Sequence, residues 1–263
     1  MPTNIGDLQR LELLQKYPLE GHCEGRFAFC SVDSDFLQSL LPGDLVLAPQ
    51  QYTPAGRHPL LLMFNNTLLK TNPNLERIAK VENVGLTLKY YEFIVMLPYV
   101  KFKDPQYNSK GPYCYLPILY LDSILAVMGG RIFWEFNKEM AGFTVTPSDF
   151  FVMEESTSNT LLSGVTQIMG FLQPDKSVPN FQKITNILQL PVIEHGLYGY
   201  VSSKYKIAYE NIDIAAAGLD YNNLSCQFMP AGIISSPAIT QNPLGAFHMD
   251  YDWKLSYIEF IKF

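Results

Sequence analysis

One lysine stands in unusual company, in the run Phe133-Trp134-Glu135-Phe136-Asn137-Lys138-Glu139-Met140-Ala141-Gly142-Phe143. By composition alone Lys138 is an ordinary loop lysine; the surrounding Phe133, Trp134, Phe136, Met140 and Phe143 single it out. An amine held against apolar walls loses the hydration that favours its ammonium form, so its pKa falls. A free lysine titrates near 10.4 and is neutral in only about one molecule in a few thousand at pH 7. Lowering that pKa by roughly three makes the neutral amine abundant, at about 4 kcal/mol of differential solvation. The chemistry such a setting offers is nucleophilic attack by nitrogen.

Other familiar constellations are absent. The chain has no GxGxxG, no phosphate-cradling P-loop and no GxSxG nucleophile elbow. His22, His58, His195 and His248 show no HExxH or other short metal spacing, so no metal is expected. Cys23, Cys30, Cys114 and Cys226 lie far apart without CxxC spacing and read as buried, reduced thiols. His248-Met249-Asp250-Tyr251-Asp252 brings two carboxylates near an imidazole but reads as a solvated turn, and Arg57-His58 beside Pro59 reads as a loop. Asn65-Asn66-Thr67 and Asn223-Leu224-Ser225 match the glycosylation pattern by chance.

The elements that must position Lys138 are mostly strands. Hydrophobic residues make up 48% of the 263 and charged residues 17%, which makes a core-forming chain. The 17 Phe and 16 Tyr favour strands. A formal net charge of −6 argues against a nucleic-acid binder, which needs a basic field. Leu86 to Met96 is apolar on both faces and predicts a long central strand; Tyr113 to Tyr120 predicts a second, with Pro117 marking an edge, bulge or end. Helices are expected from Asp33 to Leu41, where Asp33 caps and Pro42-Gly43 stops it, and after Asp122 or Ser123, weakened by Gly129-Gly130. Phe181, Ile184, Ile187 and Leu188 fit a helix or a strand, and Tyr198 to Ile214 suggests strands around a hairpin. Leu8, Leu11 and Leu14 predict an amphipathic helix ending before Pro18. Without signal-peptide patterning or a span of about 18 apolar residues, a cytoplasmic protein free of membranes is expected.

Several of these pieces occur in a meaningful order. Tyr120-Leu121-Asp122, then Gly130-Arg131, then Lys138 ahead of Met140-Ala141-Gly142-Phe143 resembles the acetoacetate decarboxylase family, spacing included. The resemblance covers Leu86 to Phe143, with a weaker echo from Arg26 to Pro42. It implies that Lys138 forms a Schiff base, that Glu92 is the active-site glutamate, and that Arg26 orients a substrate carboxylate. Phe136 and Glu139 flank the lysine as pocket or support, and Arg131 reads as a structural partner for a carboxylate or for helix carbonyls. There are two departures: the family's proline before the lysine is Asn137 here, and its second lysine is Glu139. If charge repulsion depressed the lysine pKa, Glu139 would act in the wrong direction. If desolvation does so, Lys138 still works, provided Glu139 points to the opposite face of an extended chain.

The same resemblance implies a single domain over residues 1–263 of α+β class, mainly antiparallel β. The shape would be a cone-like or partly open β-barrel around a buried pocket, with a few peripheral helices. The implied activity needs no cofactor: a lyase in a homo-oligomer, decarboxylating a β-keto acid such as acetoacetate through an imine on Lys138. Two alternatives stay open. One is a related Schiff-base aldolase or dehydratase acting on α-keto acids; the other is a non-catalytic small-molecule binding barrel with an inert Lys138.

Overall fold

The computed structural model describes residues 19–70, 87–155, 158, 160–172, 181–196, 199–219, 225–228, 232–235 and 240–261. The predicted helix ahead of Pro18 and the acceptor Asn223 lie outside them. In chain order the strands are β1 (Leu19–Asp33), β2 (Leu45–Leu47), β3 (Arg57–Lys70), β4 (Thr87–Phe102), β5 (Tyr113–Tyr115), β6 (Leu119–Leu121) and β7 (Lys138–Val145). They continue as β8 (Asp149–Glu154), β9 (Thr160–Leu172), β10 (Val192–Gly196), β11 (Gly199–Leu219), β12 (Ser225–Phe228), β13 (Gly232–Ser235) and β14 (Thr240–Ile261). Helices α1 (Ser34–Leu40), α2 (Ile124–Trp134) and α3 (Phe181–Leu188) interrupt them.

One hydrogen-bonded path joins these strands in the order β13-β12-β9-β8-β7-β6-β4-β3-β1-β14-β11-β10-β5, with β2 on β4. Further pairings of β5 with β4 and of β9 with β11 bend the path back on itself, and the sheet is strongly curled. Pairing is antiparallel except between β6 and β7 and between β10 and β5. The fold is therefore mainly antiparallel β with peripheral helices, as the resemblance implied.

The central strands bury both faces, which is why they read as nearly continuous apolar runs. One layer holds Ala28, Cys30 and Val32 of β1 with Leu60, Leu62 and Phe64 of β3 and Phe93 and Val95 of β4. Phe27, Phe29, Leu61, Met63, Tyr90 and Ile94 form the layer on the other side. Helix α1 adds Leu37 to the first layer. Helices α2 and α3 cover the second with Ala126, Val127, Trp134, Ile184 and Ile187.

Local signals explain most of the boundaries. Asp33 caps α1, its side chain accepting from Phe36 N at 2.9 Å. Ser123 caps α2, which runs on through Gly129-Gly130 to Trp134. The stretch from Tyr113 to Tyr120 is two short strands, broken around Pro117. Three expectations are corrected. Tyr198 lies outside the described residues, and the rest of the stretch to Ile214 contains no hairpin: it belongs to one long strand, β11, with register shifts against β14 between Ser203 and Tyr205 and between Ala208 and Asp213. His248 to Asp252 is no turn, because Met249, Tyr251 and Trp253 alternate inward along β14. Arg57-His58 opens β3, and His58 is buried with Nε2 2.7 Å from the carbonyl of Pro98.

Candidate active site

Strand register decides which side chains meet. Lys138 lies opposite Leu119 and Met140 opposite Leu121, while Leu121 and Leu119 face Glu92 and Ile94 of β4. Glu92 in turn pairs with Asn65, and Asn65 with Gly25. Since alternate residues of a strand share a face, Lys138, Glu92, Asn65, Thr67 and Cys23 all belong to the layer beneath α2.

Lys138 is only 8% exposed although it opens its strand. Its side chain is laid against the backbone of α2: a β-carbon on Gly130 would run into Lys138 Cδ and Cε and stand 2.8 Å from Nζ. Glycine here leaves the room that the lysine side chain occupies, which gives the Gly130-Arg131 pair a physical meaning. The Phe136 ring centroid lies 5.9 Å from Nζ. Among the described residues Nζ forms no hydrogen bond and no ion pair within 4.0 Å. Burial pulls the amine below the ordinary lysine range, and the fields of Glu92 and Glu194 only partly oppose it.

Glu92, 6% exposed, accepts from Asn65 Nδ2 at 3.0 Å and Thr67 Oγ1 at 2.9 Å, both on Oε1. Thr67 Oγ1 also lies 3.0 Å from Cys23 Sγ. Desolvation, reinforced by Glu92, pushes the Cys23 thiol up to about 12, so this sulfur is a packing group and not a nucleophile. Asn65 is fully buried, which removes it as a glycosylation acceptor. Cys30 and Cys114 are likewise buried free thiols.

The remaining candidates fall elsewhere. Arg26 sits across the sheet from Lys138: its row runs through Phe64 and Phe93, not through Asn65 and Glu92. Its guanidinium donates to the carbonyls of Thr146 (2.8 Å), Pro147 (3.1 Å) and Asp149 (3.3 Å) and lies over the rings of Phe64 and Phe150. The cleft that Arg26 lines with Phe64, Phe150, Leu162 and Ala217 belongs to that layer too. The structure therefore does not bring Arg26 to the lysine, because odd and even positions of β1 serve opposite faces. Glu139 also points away and forms an ion pair with Arg131, whose Nε donates to the Lys138 carbonyl at 2.7 Å. Phe143 packs on Phe64 and Tyr91 in the far layer and does not wall the lysine. The side chain of Phe133 lies outside the described residues.

Sequence reasoning missed Glu194. It is fully buried in β10, on the Lys138 side of the sheet, with Oε2 accepting the backbone N–H of Asn137 at 2.9 Å. A lone acid in the apolar run Pro191-Val192-Ile193-Glu194 was the available signal, since glutamate is almost never fully buried without a reason. The imidazole that meets two carboxylates is His22, 2.9 Å from Asp250 and 3.1 Å from Asp252 on the exposed surface. Among the described residues no group of His, Cys, Asp or Glu is arranged to hold a metal ion.

A curled, mainly antiparallel sheet carrying a buried lysine and glutamate on one helix-covered face has the fold of the acetoacetate decarboxylase-like enzymes. The enduracididine biosynthesis enzyme MppR, in complex with the condensation product of pyruvate and imidazole 4-carboxaldehyde, superimposes with a TM-score of 0.59 at 13% identity, over 94% of this chain and 90% of that one. Acetoacetate decarboxylase from Legionella pneumophila gives 0.55 at 15% identity, covering 94% and 89%. An acetoacetate decarboxylase-like enzyme from Sphingomonas wittichii RW1 gives 0.51 at 10% identity, covering 94% and 93%. No family model matches the sequence. No curated protein matches it either.

Proposed function

We propose that the protein is a Schiff-base lyase acting on a small keto acid through Lys138. The observation that carries this reading is the amine itself, buried, without a hydrogen-bonding or ionic partner among the described residues, and held below its ordinary pKa by desolvation. Neutral Nζ attacks a ketone carbon, and loss of the hydroxyl as water leaves a protonated imine. In a β-keto acid the bond to the carboxylate carbon then breaks, and its electron pair moves toward the iminium nitrogen. Carbon dioxide departs, the resulting enamine is protonated on carbon, and water hydrolyses the imine to regenerate Lys138. Glu92, held by Asn65 and Thr67, is positioned to orient substrate or move the proton. Arg26 has no part in this scheme, since its guanidinium is committed to carbonyls on the other face.

A second reading, condensation or dehydration of an α-keto acid through the same imine, has two supports. The site lacks the family's second lysine, and MppR has been seen with a condensation product of pyruvate. Both readings predict that borohydride with the right keto acid locks the substrate's mass onto Lys138, and that Lys138→Ala abolishes it. Carbon dioxide release from acetoacetate supports the first, and a condensation product from pyruvate plus an aldehyde supports the second. Unmodified Lys138 with every keto acid tried would falsify both.

A further inference from the structure

Glu194 is not used by the scheme above, yet it is the most thoroughly buried acid near the lysine. Its β10 neighbours Val192 and Ile193 are buried, and the strand is clamped between β5 and β11. Oε2 has one donor, the N–H of Asn137, while Oε1 is buried with no hydrogen-bond partner. Asn137 is also fixed by its side chain, which donates to the Pro117 carbonyl at 2.9 Å, and by its own carbonyl, which accepts from Leu119 N at 2.9 Å. The carboxyl is thereby tied to the residue directly before Lys138. A proline at 137 would have no N–H to offer it.

The charge state follows from solvation. An ionised carboxylate needs several donors, and here one is supplied and water is excluded. The neutral acid is the cheaper form, and burial indeed holds Glu194 well above the usual carboxylate range despite Asn137 and Lys138. A lysine biased toward the free amine thus shares a dry layer with a glutamate biased toward the free acid. Forming an imine calls for that pair: a base-form nitrogen to attack and an acid to discharge water.

We propose that Glu194 is a second acid–base residue of this site, giving its proton to the hydroxyl that leaves the Lys138 carbinolamine and recovering it during imine hydrolysis. In the forward step the C–O bond breaks with its electron pair on oxygen, which takes the Glu194 proton and leaves as water. The nitrogen lone pair forms the C=N bond, so an iminium and a Glu194 carboxylate result. In the reverse step water adds to the iminium carbon, and the carboxylate removes the proton that water loses. The inference rests on the Schiff-base reading and adds to it the source of the proton.

Glu194→Gln preserves shape and still accepts from Asn137 N–H, but carries no transferable proton. The test measures the rate of borohydride-trapped adduct formation against pH, with acetoacetate and with pyruvate, in wild type and variant. Wild type should lose rate on the acid side as Lys138 protonates and on the alkaline side as Glu194 ionises. The variant should be slower by about 10²–10⁴-fold and should lack the alkaline limb, with an unchanged circular-dichroism spectrum. Trapping in wild type together with an equal rate and the same alkaline limb in Glu194→Gln overturns the role of Glu194 while leaving the Schiff base standing. Failure of wild type itself to trap any keto acid removes the underlying reading instead. If the glutamine variant does not fold, Glu194→Asp replaces it. That variant keeps a proton, so it must keep the alkaline limb at reduced rate, and a flat profile overturns the proposal.

Discussion

At the residue scale, two side chains next to Lys138 separate the causes of its reactivity. Gly130 lets the lysine lie on the helix backbone. Gly130→Ala should leave thermal stability unchanged or raised, because alanine is favoured over glycine in a helix by about 1 kcal/mol. The added methyl displaces a flexible side chain and not the helix, so adduct formation should fall by about 10²-fold while the melting curve stays put. A matching loss of both would mean that the glycine serves only packing. Glu139 is paired with Arg131 and is not among the groups whose fields act on the amine. Glu139→Lys, which restores a lysine pair, should therefore leave the pH dependence of Lys138 labelling by an acylating reagent almost unmoved. A large fall in its pKa would show that charge repulsion, and not desolvation, sets it.

At the element scale, the site is held by side chains reaching across β1, β3 and β4, where Cys23, Thr67, Asn65 and Glu92 meet. Thr67→Val keeps the volume but removes the donor to buried Glu92. It should destabilise by about 1–3 kcal/mol, read from the urea midpoint, and Thr67→Ser should recover most of that. The sequence showed much of this scaffold through local chemistry: the Asp33 cap, the two-sided apolar run of β4 and the aromatic setting of Lys138 are all short-range signals. Partner-dependent features stayed hidden. Arg26 and Cys23 differ in parity along β1, and only the pairing with β3 shows which of them faces Glu92. Glu194 is 56 residues beyond Lys138 and is brought to it by the pairing of β10 with β5 and the hydrogen bond from Asn137 N. The acids at 250 and 252 suggested a turn, although the alternating Met249, Tyr251 and Trp253 between and beside them spelled a strand.

At the scale of the whole molecule, a buried basic group ties stability to acidity. The folded protein binds a proton at Lys138 less readily than the unfolded chain does, so the unfolded state holds more protons between the depressed pKa and about 10.4. Stability contributed by this group must rise with pH across that window and be flat above and below it. Lys138→Met should remove that alkaline rise from a denaturation series, and an unaltered slope would mean the amine is already solvated. Among the described residues no helix is long and apolar enough to cross a membrane. Chains only 10–15% identical share this fold, which suits a framework specified by pattern more than by residue identity. The alternation of β7 between the two layers has one last consequence. Inserting one amino acid within β7, between Lys138 and Ala141, would put the two ends of the strand out of phase, so that Lys138 and Ala141 could no longer keep their own layers. Two insertions would restore the phase. The loop of residues 135–137 ahead of the strand, by contrast, can absorb added length without turning the amine.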